Sequence, residues 1–383
     1  MSKKSIRTIC VINGKRGGFN ALLPTMRAIE KHPALKLQVM LTDMHLAELF
    51  GKTVTDARTW IHITKTVDIA QRGDSARERT EALGRGLAHM AEALADMHPD
   101  MILLLGDRSE TLVAAFAALQ LKIPVAHIQG GEISGNIDGI QRHAITKLAH
   151  LHFAETEDAR KRIIALGEEP WRVSRVGAPY IDFIREKLYT SPRDVRRKYG
   201  LAPREKFVLV LQHPVTTESE RAYHDAHEVL AAVKASGLRA IAVYPCSDQG
   251  YQGIIDALEE ERSNTQFTIY KNIPAEDFIG LEAEAVALVG NSSAGIYEAP
   301  YVACPFVSVG KRQEGREREN NVIDVAPERG KILAAIRRAA SPAFRKSMRP
   351  RNIYGDGRAA GRIVRVLASV PLGSKLFEKK ITY

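Results

Sequence analysis

MILLLGDRSETLVAAFAALQ, residues 101–120, is the stretch whose reading decides the fold. Met101 to Leu105 are apolar without interruption, which suits a strand covered on both faces, as strands of parallel sheets are. Gly106 and Asp107 end the run, and SETLVAAFAALQ reads as a helix. Strand followed directly by helix is the repeating unit of a doubly wound sheet. The same unit recurs on both sides. RTICVIN (7–13), LQVMLT (37–42), PVAHIQ (124–129), LHFAET (151–156) and VSRVG (173–177) are further strand candidates in the first half. FVLVLQ (207–212), AIAVYP (240–245), FTIYK (267–271), VALVGN (286–291) and PFVSVG (305–310) follow in the second. The pattern restarts after a polar, proline-containing segment (185–206), so the chain divides into a domain over 1–180 and another over 181–383. The helical stretch 358–370 is placed to pack back on the first domain. The class is α/β, with two Rossmann-like doubly wound domains facing a cleft, since such sheets bind ligands at their carboxyl edges.

The bulk composition narrows the function. The chain has 383 residues, 45% apolar and 26% charged, enough for two cores of ordinary size. Its apolar runs are far shorter than the ~20 residues of a membrane span. The start MSKKSIRTICVING passes from charge straight into a strand pattern, with no secretory signal. A cytoplasmic location without membrane contact follows. Cys10, Cys246 and Cys304 are too scattered for a disulfide framework or a metal box, and no metal or cofactor is called for. The formal net charge of +10 comes from scattered Lys and Arg with few aromatics between them. That favours attraction of a small anion over nucleic-acid binding.

Candidate chemistry gathers where strands end. In the turn NGKRGGFNALLP (13–24), Arg16 opens a helix whose amides suit phosphate, although an ordinary βα turn reads the same way. Asp107 and Arg108 follow the strand 101–105; Asp107 either faces the cleft or caps the next helix. HIQGGEISGNIDGIQRHAITKLAHLHF (127–153) crowds Glu132, Asp138, Arg142 and His143 after a buried strand. Its alternative is an ordinary Asp138–Arg142 helix pair, with His143 and His150 as helix-face residues. His213 lies just beyond a strand, where an imidazole titrating near neutrality could meet a proton or a phosphate. GNSSAGIYE (290–298) sets Ser292 and Ser293 at a helix start, suited to a diphosphate, with Glu298 placed for ribose hydroxyls; a capping box is the alternative. Arg312 and Arg316 lie in the charged loop beyond the next strand.

GDR (106–108), the 127–153 segment, QHPVTT (212–217), GNSSAGIYE, GKRQEGRE (310–317) and IYGDG (353–357) together resemble the hydrolysing UDP-N-acetylglucosamine 2-epimerases, over nearly the whole chain and in order. That family includes the bacterial enzymes of sialic acid synthesis and the epimerase half of the animal bifunctional enzyme. The resemblance implies a glycosyltransferase-B fold and a homodimer or homotetramer. The implied reaction is anti elimination of UDP to a 2-acetamidoglucal, then water addition giving N-acetylmannosamine. Asp107 and Asp138 match family acids. Arg16, Arg108, His213, Ser292, Ser293, Glu298, Arg312 and Arg316 match positions at or near the nucleotide diphosphate, and His45 a histidine near the sugar. Many relatives carry glutamate where Gln129 stands, so Asp107, Asp138 or Glu132 would move the proton instead. YPCSDQG (244–250) also departs from the family's YPNSDAG. Such departures admit a modified donor, such as the 2,4-diacetamido-6-deoxy sugar used for legionaminic acid. A non-hydrolysing epimerase and a binder that has lost its chemistry are the remaining alternatives.

Overall fold

Every apolar run above becomes a strand in one of two parallel sheets in the computed structural model, which describes residues 6–135 and 137–382. The charged first residues, read above as leading into a strand without a signal, lie outside the described residues. The first sheet holds β1 (Arg7–Asn13), β2 (Leu35–Thr42), β3 (Lys65–Val67), β4 (Met101–Leu105), β5 (Val125–Ile128), β6 (Leu151–Ala154) and β7 (Val173–Arg175), in the order β3-β2-β1-β4-β5-β6-β7. The second holds β8 (Phe207–Leu211), β9 (Arg239–Val243), β10 (Phe267–Tyr270), β11 (Leu288–Gly290), β12 (Phe306–Val309) and β13 (Val322–Val325), in the order β10-β9-β8-β11-β12-β13. All pairings are parallel. The continuous apolar runs sit where both faces are covered: Ile9, Val11, Ile102, Leu103 and Leu104 are fully buried. Each such side chain contributes roughly 1.5–3 kcal/mol on leaving water.

β3 and β13 are missing from the sequence reading. β3 has only three residues, and Ile323 alone is buried in the VIDV of β13. Both are sheet edges, where one covered side leaves no long apolar run to see.

Strand order reverses between β1 and β4 and again between β8 and β11. Ligands bind in the crevice outside such switch points. Gly290 closes β11 at φ +136, and a Cβ there would run into the Leu211 carbonyl at the end of β8, so only glycine fits. The helix Ala359–Ser369 lies against the helices Arg16–Lys31 and Pro179–Arg185. Asp182 caps it from outside, accepting the N–H groups of Ala359 (2.9 Å) and Ala360 (2.7 Å). No described helix is long and apolar enough to cross a membrane.

Candidate active site

The two switch points face one another across a solvent-open cavity. The first sheet contributes Lys15, Arg16 and His45 to its wall, and the second His213, Ser292, Ser293 and Glu298. Phe19, Trp60, Phe183, Val243, Phe278 and Ile279 supply apolar lining. A ligand with a flat apolar group and an anionic middle suits these walls.

Lys15 makes the anionic preference concrete. Burial lowers its pKa, and the Arg312 and Arg108 cations lower it further, so positive charge is crowded here without full compensation. His213 is gripped by Asn291, whose Oδ1 accepts its N–H (2.7 Å) and whose amide donates to its carbonyl (2.8 Å). The imidazole Nδ1 accepts the N–H of Cys246 at 3.0 Å. Burial, then Arg312 and Lys15, hold its pKa well below the ordinary histidine range. The ring is therefore neutral with its proton on Nε2, a fixed donor and not the near-neutral acid–base anticipated from sequence. Ser293 stands at the start of the short helix Ala294–Tyr297 but makes no side-chain cap, so the capping-box alternative does not hold. Glu298 has a buried Oε2 without a hydrogen-bond partner, and burial pushes its pKa up to about 7 against the pull of Lys15. An unsatisfied acceptor beside a cavity suits a ligand's hydroxyl groups.

Other predicted binding residues, Arg16 and His45 of the cavity wall among them, already have protein partners. The Arg16 guanidinium reaches across to the carbonyls of Lys271 (2.6 Å), Tyr244 and Pro245 (both 3.1 Å), tying the two sheets' loops together. Arg108 pairs with Asp248 and donates to Ser247 Oγ (2.8 Å) and Glu110 (3.3 Å). Arg79 holds Asp43 (3.0 Å) and Glu110 (2.7 Å). Arg312 lies 3.6 Å from Asp138 and 3.7 Å from Asp248. These buried pairs form a continuous chain of charge between the halves. His45 bonds Thr53 Oγ1 (2.8 Å) and Asn13 Oδ1 (2.9 Å), and burial with the Arg16 charge pushes its pKa down to about 4. It braces the first turn as a neutral ring.

None of the three predicted catalytic acids belongs to the cavity lining, although the Asp138 charge acts on Lys15 in its wall. Asp107 pairs with the fully buried Arg142, which also donates to the Glu132 carbonyl (2.8 Å) and Ser134 Oγ (3.2 Å). Arg108 occupies the N-cap of the helix Ser109–Gln120, so Asp107 does not cap it. Asp138 faces Arg312, while Arg142, its expected helix partner, turns to Asp107. Glu132 departs from expectation. Its side chain is fully buried away from the cavity lining, both carboxyl oxygens lack partners, and burial with the nearby Glu155 pushes its pKa up to about 8. Arg316 turns to the same enclosed acids, its guanidinium 5.3 Å from the Tyr297 ring centre and its Nε donating to the Ile133 carbonyl (3.2 Å). Gln129 donates to Glu155 Oε2 at 3.2 Å. His143 is half-buried, outside the cavity lining, with Nδ1 unpartnered.

Lys15, Glu155 and Asp248 escaped the sequence reading. Lys15 stands in the quoted first turn, Glu155 directly beyond β6 and Asp248 beyond β9, so the strand-end rule applied to every strand would have found them. Among the described residues no group of three or more His, Cys, Asp or Glu is arranged to hold a metal ion.

Two parallel sheets of this order, facing across a cleft, make a glycosyltransferase-B type α/β protein. The crystal structure of UDP-GlcNAc 2-epimerase from Neisseria meningitidis bound to UDP-GlcNAc has the same fold, with a TM-score of 0.78 at 20% identity over 94% of this chain and 99% of that one. A UDP-GlcNAc 2-epimerase structure from Methanocaldococcus jannaschii matches equally, also at 0.78 and 20% over 94% and 99%. The chain belongs to the UDP-N-acetylglucosamine 2-epimerase family, whose pattern matches residues 27–368. Among its relatives is the UDP-N,N'-diacetylbacillosamine 2-epimerase (hydrolyzing) of Legionella pneumophila, 35% identical over 99% of this chain and 100% of that one. A UDP-N-acetylglucosamine 2-epimerase of Neisseria meningitidis is 34% identical over 88% of each chain.

Proposed function

We propose that this protein is a hydrolysing 2-epimerase acting on UDP-N-acetylglucosamine, releasing UDP and N-acetylmannosamine. One observation carries the reading: a cation-rich cavity at facing switch points, with hydroxyls and a free carboxyl oxygen on one side, and arginine-held acids that follow strands of the first sheet. The diphosphate would lie against Lys15, the Nε2–H of His213 and the Ser292–Ser293 turn, with Glu298 on the ribose and the apolar side chains around the base. C2–H of the sugar is not acidic, so the C1–O bond must break first, leaving positive charge at C1. Fixed donors around the leaving diphosphate stabilise the negative charge it gains, which is where preorganised electrostatics contribute most. One of Asp107 and Asp138 then takes the C2 proton to give the glucal. In the second half water loses a proton to one of these acids as it adds at C1, while the other returns a solvent-exchanged proton to the opposite face of C2. Each transfer contributes ~10²–10⁴-fold.

The Legionella relative supports a second donor, a UDP-2,4-diacetamido-6-deoxy sugar, because the match spans both chains end to end. Incubation with both donors tests the proposal. Release of UDP with a free 2-acylamino sugar of inverted C2 supports it, and the faster donor names the substrate. No UDP from either donor ends the reading.

A further inference from the structure

We infer that Glu155 is a positioning residue for this reaction: it holds the side-chain amide of Gln129 with its oxygen toward the carboxyl end of β4, where that oxygen accepts the acylamino N–H of the bound sugar. The inference rests on the epimerase reading above.

Gln129 follows β5 with φ +74, a left-handed value that a residue with a side chain keeps only where its surroundings impose it. Its backbone N–H bonds the Phe153 carbonyl at 3.2 Å, which draws it to the end of β6. Glu155 lies two residues beyond, and its Oε2 accepts the Gln129 Nε2–H at 3.2 Å. The Glu155 side chain is fully buried with Oε1 unpartnered, so it acts through Gln129 and does not meet the ligand itself.

An amide has one donating and one accepting end. With the nitrogen committed to Glu155, the Gln129 oxygen faces Gly106, 3.2 Å from where a Cβ would stand on that residue. Gly106 directly precedes Asp107, so the acceptor is presented beside the acid proposed to act at C2. Without an acceptor at 155 the amide would turn and offer its NH₂ group there, which repels an N–H. The pair also carries a single carboxyl group, that of Glu155, whose pKa burial already pushes up to about 7. A second one at 129 would set two acids in contact, with Glu132 already close to Glu155, and like charges in a buried site resist ionisation together.

The test compares wild type with Glu155→Met, Gln129→Glu and the exchange Gln129→Glu/Glu155→Gln. Affinity for UDP is measured by calorimetry; that for UDP-N-acetylglucosamine is read as KM from UDP release, or by calorimetry where no UDP is released. Glu155→Met should weaken UDP-N-acetylglucosamine about tenfold, the worth of one hydrogen bond, and leave UDP affinity unchanged. Gln129→Glu should weaken it as well. The exchange, which restores one amide against one carboxylate, should recover about tenfold over Gln129→Glu. Equal losses for both ligands in Glu155→Met, no loss at all, or an exchange variant no better than Gln129→Glu would each overturn the inference. A wild type that binds the sugar nucleotide but releases no UDP contradicts the epimerase reading alone, since the affinities still decide the role of Glu155.

Discussion

Glu132 and Glu298 are carboxyls that burial carries to about 8 and about 7, and neither has its full set of partners. A carboxyl raised on folding holds its proton more tightly in the folded chain than in the unfolded one. Its contribution to stability is complete below the ordinary glutamate range and is lost as pH rises through the folded value. The melting temperature of the unliganded protein should therefore fall from about pH 5 to about pH 8, and Glu132→Gln should flatten that fall. Melting curves across pH read both. Lys15→Ala removes the cavity-wall cation proposed to meet the diphosphate; losing a charge-assisted bond of about 1.5–3 kcal/mol should weaken UDP roughly 10–100-fold in a binding titration. At this scale the sequence was only half legible. Residue type and strand-end position marked Asp107, His213, Ser293 and Glu298, but no spacing could show that His213 stays neutral or that Arg16 grips carbonyls across the cleft. Those properties arise from burial and from neighbours distant in the chain, Arg312 and Lys15 for His213 and carbonyls more than two hundred residues away for Arg16.

Among the elements, the helix Ala359–Ser369 is bound to the first sheet's side by its external cap on Asp182. Removing a cap of this kind costs about 0.5–2 kcal/mol. Asp182→Ala should lower the melting temperature while UDP affinity stays at the wild-type value, because Asp182 lies outside the cavity lining. The interior strands were readable because both their faces are covered, which forces unbroken apolar runs such as 101–105 and 207–211. The edges β3 and β13 were not, since half-covered strands can be short and polar.

Across the whole molecule, the arrangement depends on charge buried between the halves: Asp43 and Glu110 on Arg79, Glu110 and Asp248 on Arg108, Asp138 and Asp248 on Arg312. Breaking one such pair leaves an uncompensated charge, at about 3–5 kcal/mol. Asp248→Asn should lower the melting temperature and raise KM together, since it loosens both Arg108 and Arg312. Thermal denaturation and steady-state kinetics read the two effects. The central claim is that diphosphate leaves at the Ser292–Ser293 turn while acids of the first sheet act at C2. Nuclear magnetic resonance of the products formed from UDP-N-acetylglucosamine in D₂O tests it most directly. The account predicts free UDP and N-acetylmannosamine carrying deuterium at C2; UDP still attached to the sugar, or hydrogen retained at C2, would contradict it.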